Sequence, residues 1–157
     1  MEFLTPGLPA MLTLRAKDCS ESPRPTIHQQ ANLVGFRWLN FMELLEIEKS
    51  QKALCNRYGA AFVSTPPDDQ IGFAVTTAGL KPINGLRHLP TAGTSGWYIW
   101  CGEAFSEAAG FFAPQCARHF YENAPEAGHL LGLPPGFRFL LSGHYLDVWY
   151  DEKLLTV

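Results

Sequence analysis

Six consecutive residues, Trp97–Gly102 (WYIWCG), constrain this chain most. The run is aromatic and β-branched almost without a break, which suits a central strand buried on both faces of a sheet. Three further segments read as strands: Ile71–Thr77 (IGFAVTT), Phe137–Ser142 (FRFLLS) and Leu146–Asp151 (LDVWYD). Gly143–His144 between the last two fits a tight hairpin connection. The C-terminal part of the chain is therefore expected to build a sheet ending in a hairpin.

Helical periodicity lies mostly upstream. Thr26 is a plausible N-cap, and Val34, Trp38, Phe41 and Leu45 recur at four- and three-residue steps, which predicts a buried stripe. Gly35 offers a point where this run would split, Glu48 and Lys52 stand one turn apart, and Gly59 fits a left-handed helix end. Thr65–Gln70 (TPPDDQ) reads as a linker, Pro82–Asn84–Gly85 as a turn and Leu89–Gly96 (LPTAGTSG) as a flexible loop. Pro114 is expected to open a short helix reaching Phe120 or Tyr121, and Pro125 a second one, ended by Gly132–Gly136. The order helix, strands, helices, hairpin predicts an α+β fold: a helical segment packed on a twisted, mainly antiparallel sheet with two short helices. Prolines and a polar cluster predict a flexible arm over residues 1–25, followed by one domain over 26–157.

A chain of 157 residues suits one domain able to bury roughly 70% of its unfolded surface. Charge is mild overall but uneven. Residues 1–100 carry nine Lys/Arg against eight Asp/Glu, whereas residues 101–157 carry three against seven. This excludes the basic stripe of a nucleic-acid binder; the acidic C-terminal part is either a solvated face that aids solubility or, if it meets a partner electrostatically, the contact for a basic one. Cys19, Cys55, Cys101 and Cys116 are scattered without metal-ligand spacing; the simplest expectation is reduced, mostly buried thiols, with a disulfide left open but not favoured by the spacing. The N-terminal stretch has no basic region ahead of an unbroken apolar one, and no window is long and apolar enough to span a membrane. A cytoplasmic protein is expected.

Catalytic motifs are absent. The histidines at positions 28, 88, 119, 129 and 144 form no HExxH, HxH or HxxxH pair, and there is no P-loop, GxSxG elbow or dinucleotide fingerprint. His88 and Asp147 would make a base and its orienting carboxylate only if folding brought them together beside a nucleophile. No enzyme, cofactor or metal is expected. The glycine-rich stretch Asn84–Gly102 (NGLRHLPTAGTSGWYIWCG) is a weak anion-cradle signal and a better one for a long structured connection over the sheet.

That stretch, with the downstream LGLPPGFRFLLSGHYLDVWYDEKLLTV, resembles bacterial immunity proteins of the Imm33-like family, found in polymorphic-toxin and contact-dependent growth-inhibition loci. The resemblance covers about Ile71–Val157; residues 1–60 carry no family motif. Gly85, Arg87, His88, Trp97, Tyr98, Trp100, Pro135, Phe137 and Trp149 match the family pattern and are taken as scaffold. The resemblance implies a non-enzymatic inhibitor that binds the C-terminal domain of a toxin made by the same cell. One branch of the family is associated with EndoU-like ribonuclease toxins, and its fold is similar to Whirly nucleic-acid-binding proteins.

The leading expectation is toxin neutralisation by occlusion of the active site. A nuclease cleft is basic, so an acidic, aromatic surface would plug it, with Glu103, Glu107, Tyr145, Asp147, Asp151 and Glu152 as the expected contact residues. The competing expectation is a single-stranded nucleic-acid-binding protein whose aromatics stack on bases, a reading that the charge balance opposes.

Overall fold

A computed structural model describes residues 30–156, with side chains from residue 41 onward. The arm expected over residues 1–25, the cap at Thr26, and the side chains of Val34 and Trp38 lie outside the described residues.

Helix α1 spans Gln30–Arg57 and passes through Gly35 without a break. Gly59, with φ 63°, follows its end as expected, and Glu48 and Lys52 form the i,i+4 ion pair. The buried face differs from the expected stripe. Phe41 is 53% exposed and Leu45 is exposed too, while Gln51, Leu54 and Cys55 are buried and Leu44 and Ile47 pack on the core. The reason is local: the described part of α1 meets the core through residues spaced three and four apart from Leu44.

Among the described residues the sheet has six strands: β1 (Gln70–Phe73), β2 (Ile83–Arg87), β3 (Thr94–Cys101), β4 (Ala113–Cys116), β5 (Phe137–Ser142) and β6 (Tyr145–Tyr150). Their order is β4-β1-β3-β2-β5-β6; β1 and β3 run parallel and every other pair is antiparallel. Two short helices, α2 (Ala117–Asn123) and α3 (Pro125–Gly128), precede the terminal hairpin. The α+β class, the mainly antiparallel sheet and the two short helices match the sequence expectation.

Four local expectations need correction. The first strand ends at Phe73, and Val75–Thr77 is a 3-10 helix. Ile83–Arg87, expected as turn and loop, is strand β2 in the middle of the sheet. Pro114 opens no helix; it lies in strand β4, beyond which the sheet has no further strand among the described residues, so its missing N–H interrupts no described ladder on that side. The two faces of β3 are unequal. Trp97, Ile99 and Cys101 are buried in the main core, whereas Tyr98 and Trp100 are half-buried on the other face.

Register defines those faces, because directly paired residues share one side and neighbours along a strand alternate. Ile99 pairs with Gly85, Gly85 with Phe139 and Phe139 with Val148. This row belongs to the inner face, which packs on α1 and α2 through Leu54, Cys55 and Phe120. Trp100 pairs with Asn84, Asn84 with Leu140 and Leu140 with Asp147, which puts Asp147 on the outer face. Tyr145 and Trp149 share that face by alternation.

Candidate functional site

The inner face closes around one buried cation. Arg87 ends β2 with 2% exposure. Its Nε donates to the Ser95 carbonyl (2.9 Å), Nη1 to those of Val63 (2.9 Å) and Leu133 (2.6 Å), and Nη2 to that of Ser64 (3.3 Å). Burial pulls the guanidinium down to about 10, countered by the fields of Tyr121 and Asp69, so it stays charged at neutral pH. The Leu131 carbonyl accepts from Thr65 Oγ1 (2.8 Å) and Trp97 Nε1 (3.2 Å). Arg87 thus ties the segment after α1 to the turn after α3 and to β3. Among the described residues no buried side-chain nitrogen or oxygen lacks a partner, so this centre holds no polar group aimed at a ligand.

His88 follows Arg87 and lies on the outer face, buried against Tyr98 at 5.6 Å between ring centroids. Its Nδ1 lies 2.9 Å from the Leu154 carbonyl, which can only accept, so Nδ1 carries the proton. Burial holds the ring below the ordinary histidine range, and the bond to Leu154 partly offsets this. His88 therefore pins the C-terminal 3-10 helix Glu152–Leu155 over the sheet. Asp147 lies two strands from β2, level with Asn84. Strand rise and spacing put it on the order of 15 Å from His88. The two form no dyad.

The rest of the outer face has a cover at one flank and is open at the other. Between β3 and β4, Phe105 packs on Trp100 (5.1 Å between centroids) and Phe112 on Tyr98 (5.2 Å), with Phe111 against Phe112 (4.9 Å). Glu103 and Glu107 ride on this aromatic connection and are exposed to solvent. At the other flank, β6 presents Tyr145 (62% exposed), Asp147 and Trp149 (40% exposed). Arg138 of β5 lies over the Trp149 ring and pairs with Asp151 at 3.0 Å. Asp151 also accepts from the Lys153 N–H at the start of the last 3-10 helix.

The six expected contact residues are therefore not equivalent. Tyr145 and Asp147 stand together on one strand with Glu152 just beyond it, and Glu103 and Glu107 occupy the opposite flank of the same face. Asp151 is committed to an internal pair. Of the nine family-pattern residues, Gly85, Arg87, His88 and Trp97 are buried, Tyr98, Trp100, Pro135 and Phe137 are half-buried, and Trp149 is exposed. Sequence reasoning overlooked Gln51, Thr65 and Ser95, buried polar residues that each bond a carbonyl of another element. Nothing in the pattern of a lone polar residue marks such a role in advance.

No group of three or more His, Cys, Asp or Glu suited to a metal ion exists among the described residues. Cys55 and Cys101 are free and buried, and burial pushes both thiols up. Cys116 is disulfide-bonded, which corrects the expectation of four reduced thiols. No helix of the described residues is long and apolar enough to cross a membrane.

A family model described as Imm33-like domain matches residues 50–151. No curated protein and no solved structure matches the chain.

Proposed function

The chain belongs to the Imm33-like family, and on that premise we propose that it binds a bacterial toxin and neutralises it by occupying the toxin's active-site cleft. The family name is that of an immunity protein, whose partner is a toxin protein and whose role is not enzymatic. The single observation that carries the finer reading is the open outer face, where the β6 flank carries exposed aromatic rings beside carboxylates and the opposite flank carries two more carboxylates. Tyr145 and Trp149 offer large, stiff contact surfaces. Asp147 and Glu152 are exposed beside them, and Glu103 and Glu107 are exposed on the opposite flank. Arg138, the cation on the described part of β5 and β6, is already neutralised by Asp151. Such a surface suits a basic cleft of the kind that binds a polyanion, which favours a nuclease toxin, with EndoU-like ribonucleases one class of candidate. It suits nucleic acid poorly, because phosphates would meet carboxylates. The protein would act in the cytoplasm of the cell that makes the toxin, in a polymorphic-toxin or contact-dependent growth-inhibition system.

The test pairs this protein with the toxin domain encoded beside its gene. Cells producing that domain should survive only when the immunity protein is also made, and the two purified proteins should form a complex that blocks toxin activity. Survival without a complex, or a complex that leaves the toxin active, would overturn occlusion.

A further inference from the structure

The two edges of the sheet are built differently, and β6 is made to pair. Edge strand β4 has four residues and carries Pro114. Edge strand β6 has six, in unbroken register with β5, with no proline, no lysine and a single charge, Asp147. These are the devices that keep sheet edges from pairing, and β6 lacks most of them.

The free hydrogen-bonding groups of β6 can be assigned. Asp151 N–H donates to the Gly136 carbonyl at 2.7 Å, and the two-residue turn joins Ser142 to Tyr145. In an antiparallel ladder the residues that exchange bonds alternate, so Tyr145, Asp147 and Trp149 direct their backbone groups at β5. Leu146, Val148 and Tyr150 direct theirs away from the sheet. Farther in, His88 N–H donates to Gly96 at 2.9 Å, which fits the same alternation carried across β5 and β2.

We propose that β6 pairs antiparallel with β6 of a second copy about a two-fold axis at Val148, joining the two sheets edge to edge. This register sets Val148 against Val148 and Leu146 against Tyr150 of the second copy. It forms about six backbone hydrogen bonds, two for each of three pairs. On the inner face it joins Leu146 and Val148, both half-buried, with the exposed Tyr150. On the outer face it sets Asp147 against Trp149 of the second copy. The neighbouring register, centred on Asp147, would oppose two like charges and form only about four bonds. Charge and bond count therefore select the same pairing. The two-fold axis consumes both β6 edges and leaves β4 outermost, so assembly stops at two chains.

Sedimentation equilibrium of the full chain over a hundred-fold concentration range tests this. The expected mass is twice the 17.4 kDa of one chain. Val148→Pro removes the central outward N–H without touching the bonds to β5, and should give a monomer with an unchanged circular dichroism spectrum. Trp149→Asp sets like charges against Asp147 and should weaken dimerisation about tenfold or more. Asp147→Lys added to Trp149→Asp should restore it, a rescue that reads the register even if the proline variant fails to fold. A wild-type chain that stays monomeric throughout, a dimer indifferent to both single substitutions, or growth beyond two chains would each overturn the proposal.

Discussion

At the scale of single residues, Arg87 carries more of the fold than any other charge among the described residues. A neutral side chain of similar length leaves the carbonyls of Val63, Ser64, Ser95 and Leu133 without their donor inside the protein. The Ser95 and Leu133 acceptors are buried and those of Val63 and Ser64 part-buried, and an unmatched buried acceptor is costly, so Arg87→Met should lose about 3–5 kcal/mol in urea unfolding. Arg87→Lys should recover part of that loss, since an ammonium keeps the charge but cannot spread donors over four directions. A loss below about 1 kcal/mol for the methionine variant would show that the carbonyls find other partners. Histidine gives a second prediction. Burial lowers His88 and His129 in the folded state, so the unfolded chain takes up protons first as pH falls through about 6.5. The stability these neutral rings contribute is complete above that range and is lost as pH falls below it, towards the depressed folded values. Melting temperature should fall between neutral pH and about pH 5, and fall less steeply in a His88→Gln/His129→Gln double variant. Equal slopes in the two proteins would remove the histidines as the cause.

At the scale of elements, β3 separates the buried from the half-covered. Trp97 is fully buried and donates to Leu131, so Trp97→Ala should cost about 3–5 kcal/mol by leaving a large cavity and removing one of the donors to that carbonyl. Trp100, three residues on, meets Phe105 and Phe112 with one side towards solvent, and its loss should cost roughly 1–2 kcal/mol. Chemical denaturation of the two variants measures the contrast directly, and a reversed order would mean that the faces of β3 are misassigned. This strand and the terminal hairpin were legible because their patterns are local: a β-branched aromatic run, two extended segments, and a turn glycine with φ 59°. Strand β2 was not legible, because its residues are individually loop-like and each is explained only by a distant neighbour. Gly85 leaves room for Phe139, whose ring would lie 2.2 Å from an added Cβ. Asn84 donates its side-chain amide to the Gly102 carbonyl at 2.9 Å. Pro114 misled for a related reason: proline marks helix starts and edge strands alike, and only the neighbouring strand tells them apart. Along α1 the apolar period was present, but no sequence pattern could tell that the face bearing Phe41 and Leu45 would meet solvent.

At the scale of the whole molecule, the separation of inner and outer faces decides how an interface should be tested. The acidic residues of the outer face are exposed except Asp151, which pairs with Arg138 and caps the last 3-10 helix. Reversing Asp151 would therefore mix an interface effect with a folding effect, and the informative variant reverses Asp147, Glu152 and Glu107 while keeping Asp151. These three side chains meet solvent, so the variant should melt within a few degrees of the wild type. Against a basic toxin it should associate more slowly, with the deficit largest at low salt, because exposed charges act over about 10 Å at 0.1 M ionic strength and over less as salt rises. Protection of toxin-producing cells should weaken in parallel. His88→Ala provides the contrast. It loosens the C-terminal 3-10 helix but removes no group from the open surface, so at temperatures where it remains folded it should protect nearly as well as the wild type. Association rates at two ionic strengths, read beside survival for both variants, separate the possibilities. Should the folded His88→Ala protein lose protection while the triple reversal keeps it, the engaged surface would be the one around β2 and the C-terminal turn, and the acidic flanks would have no part in binding.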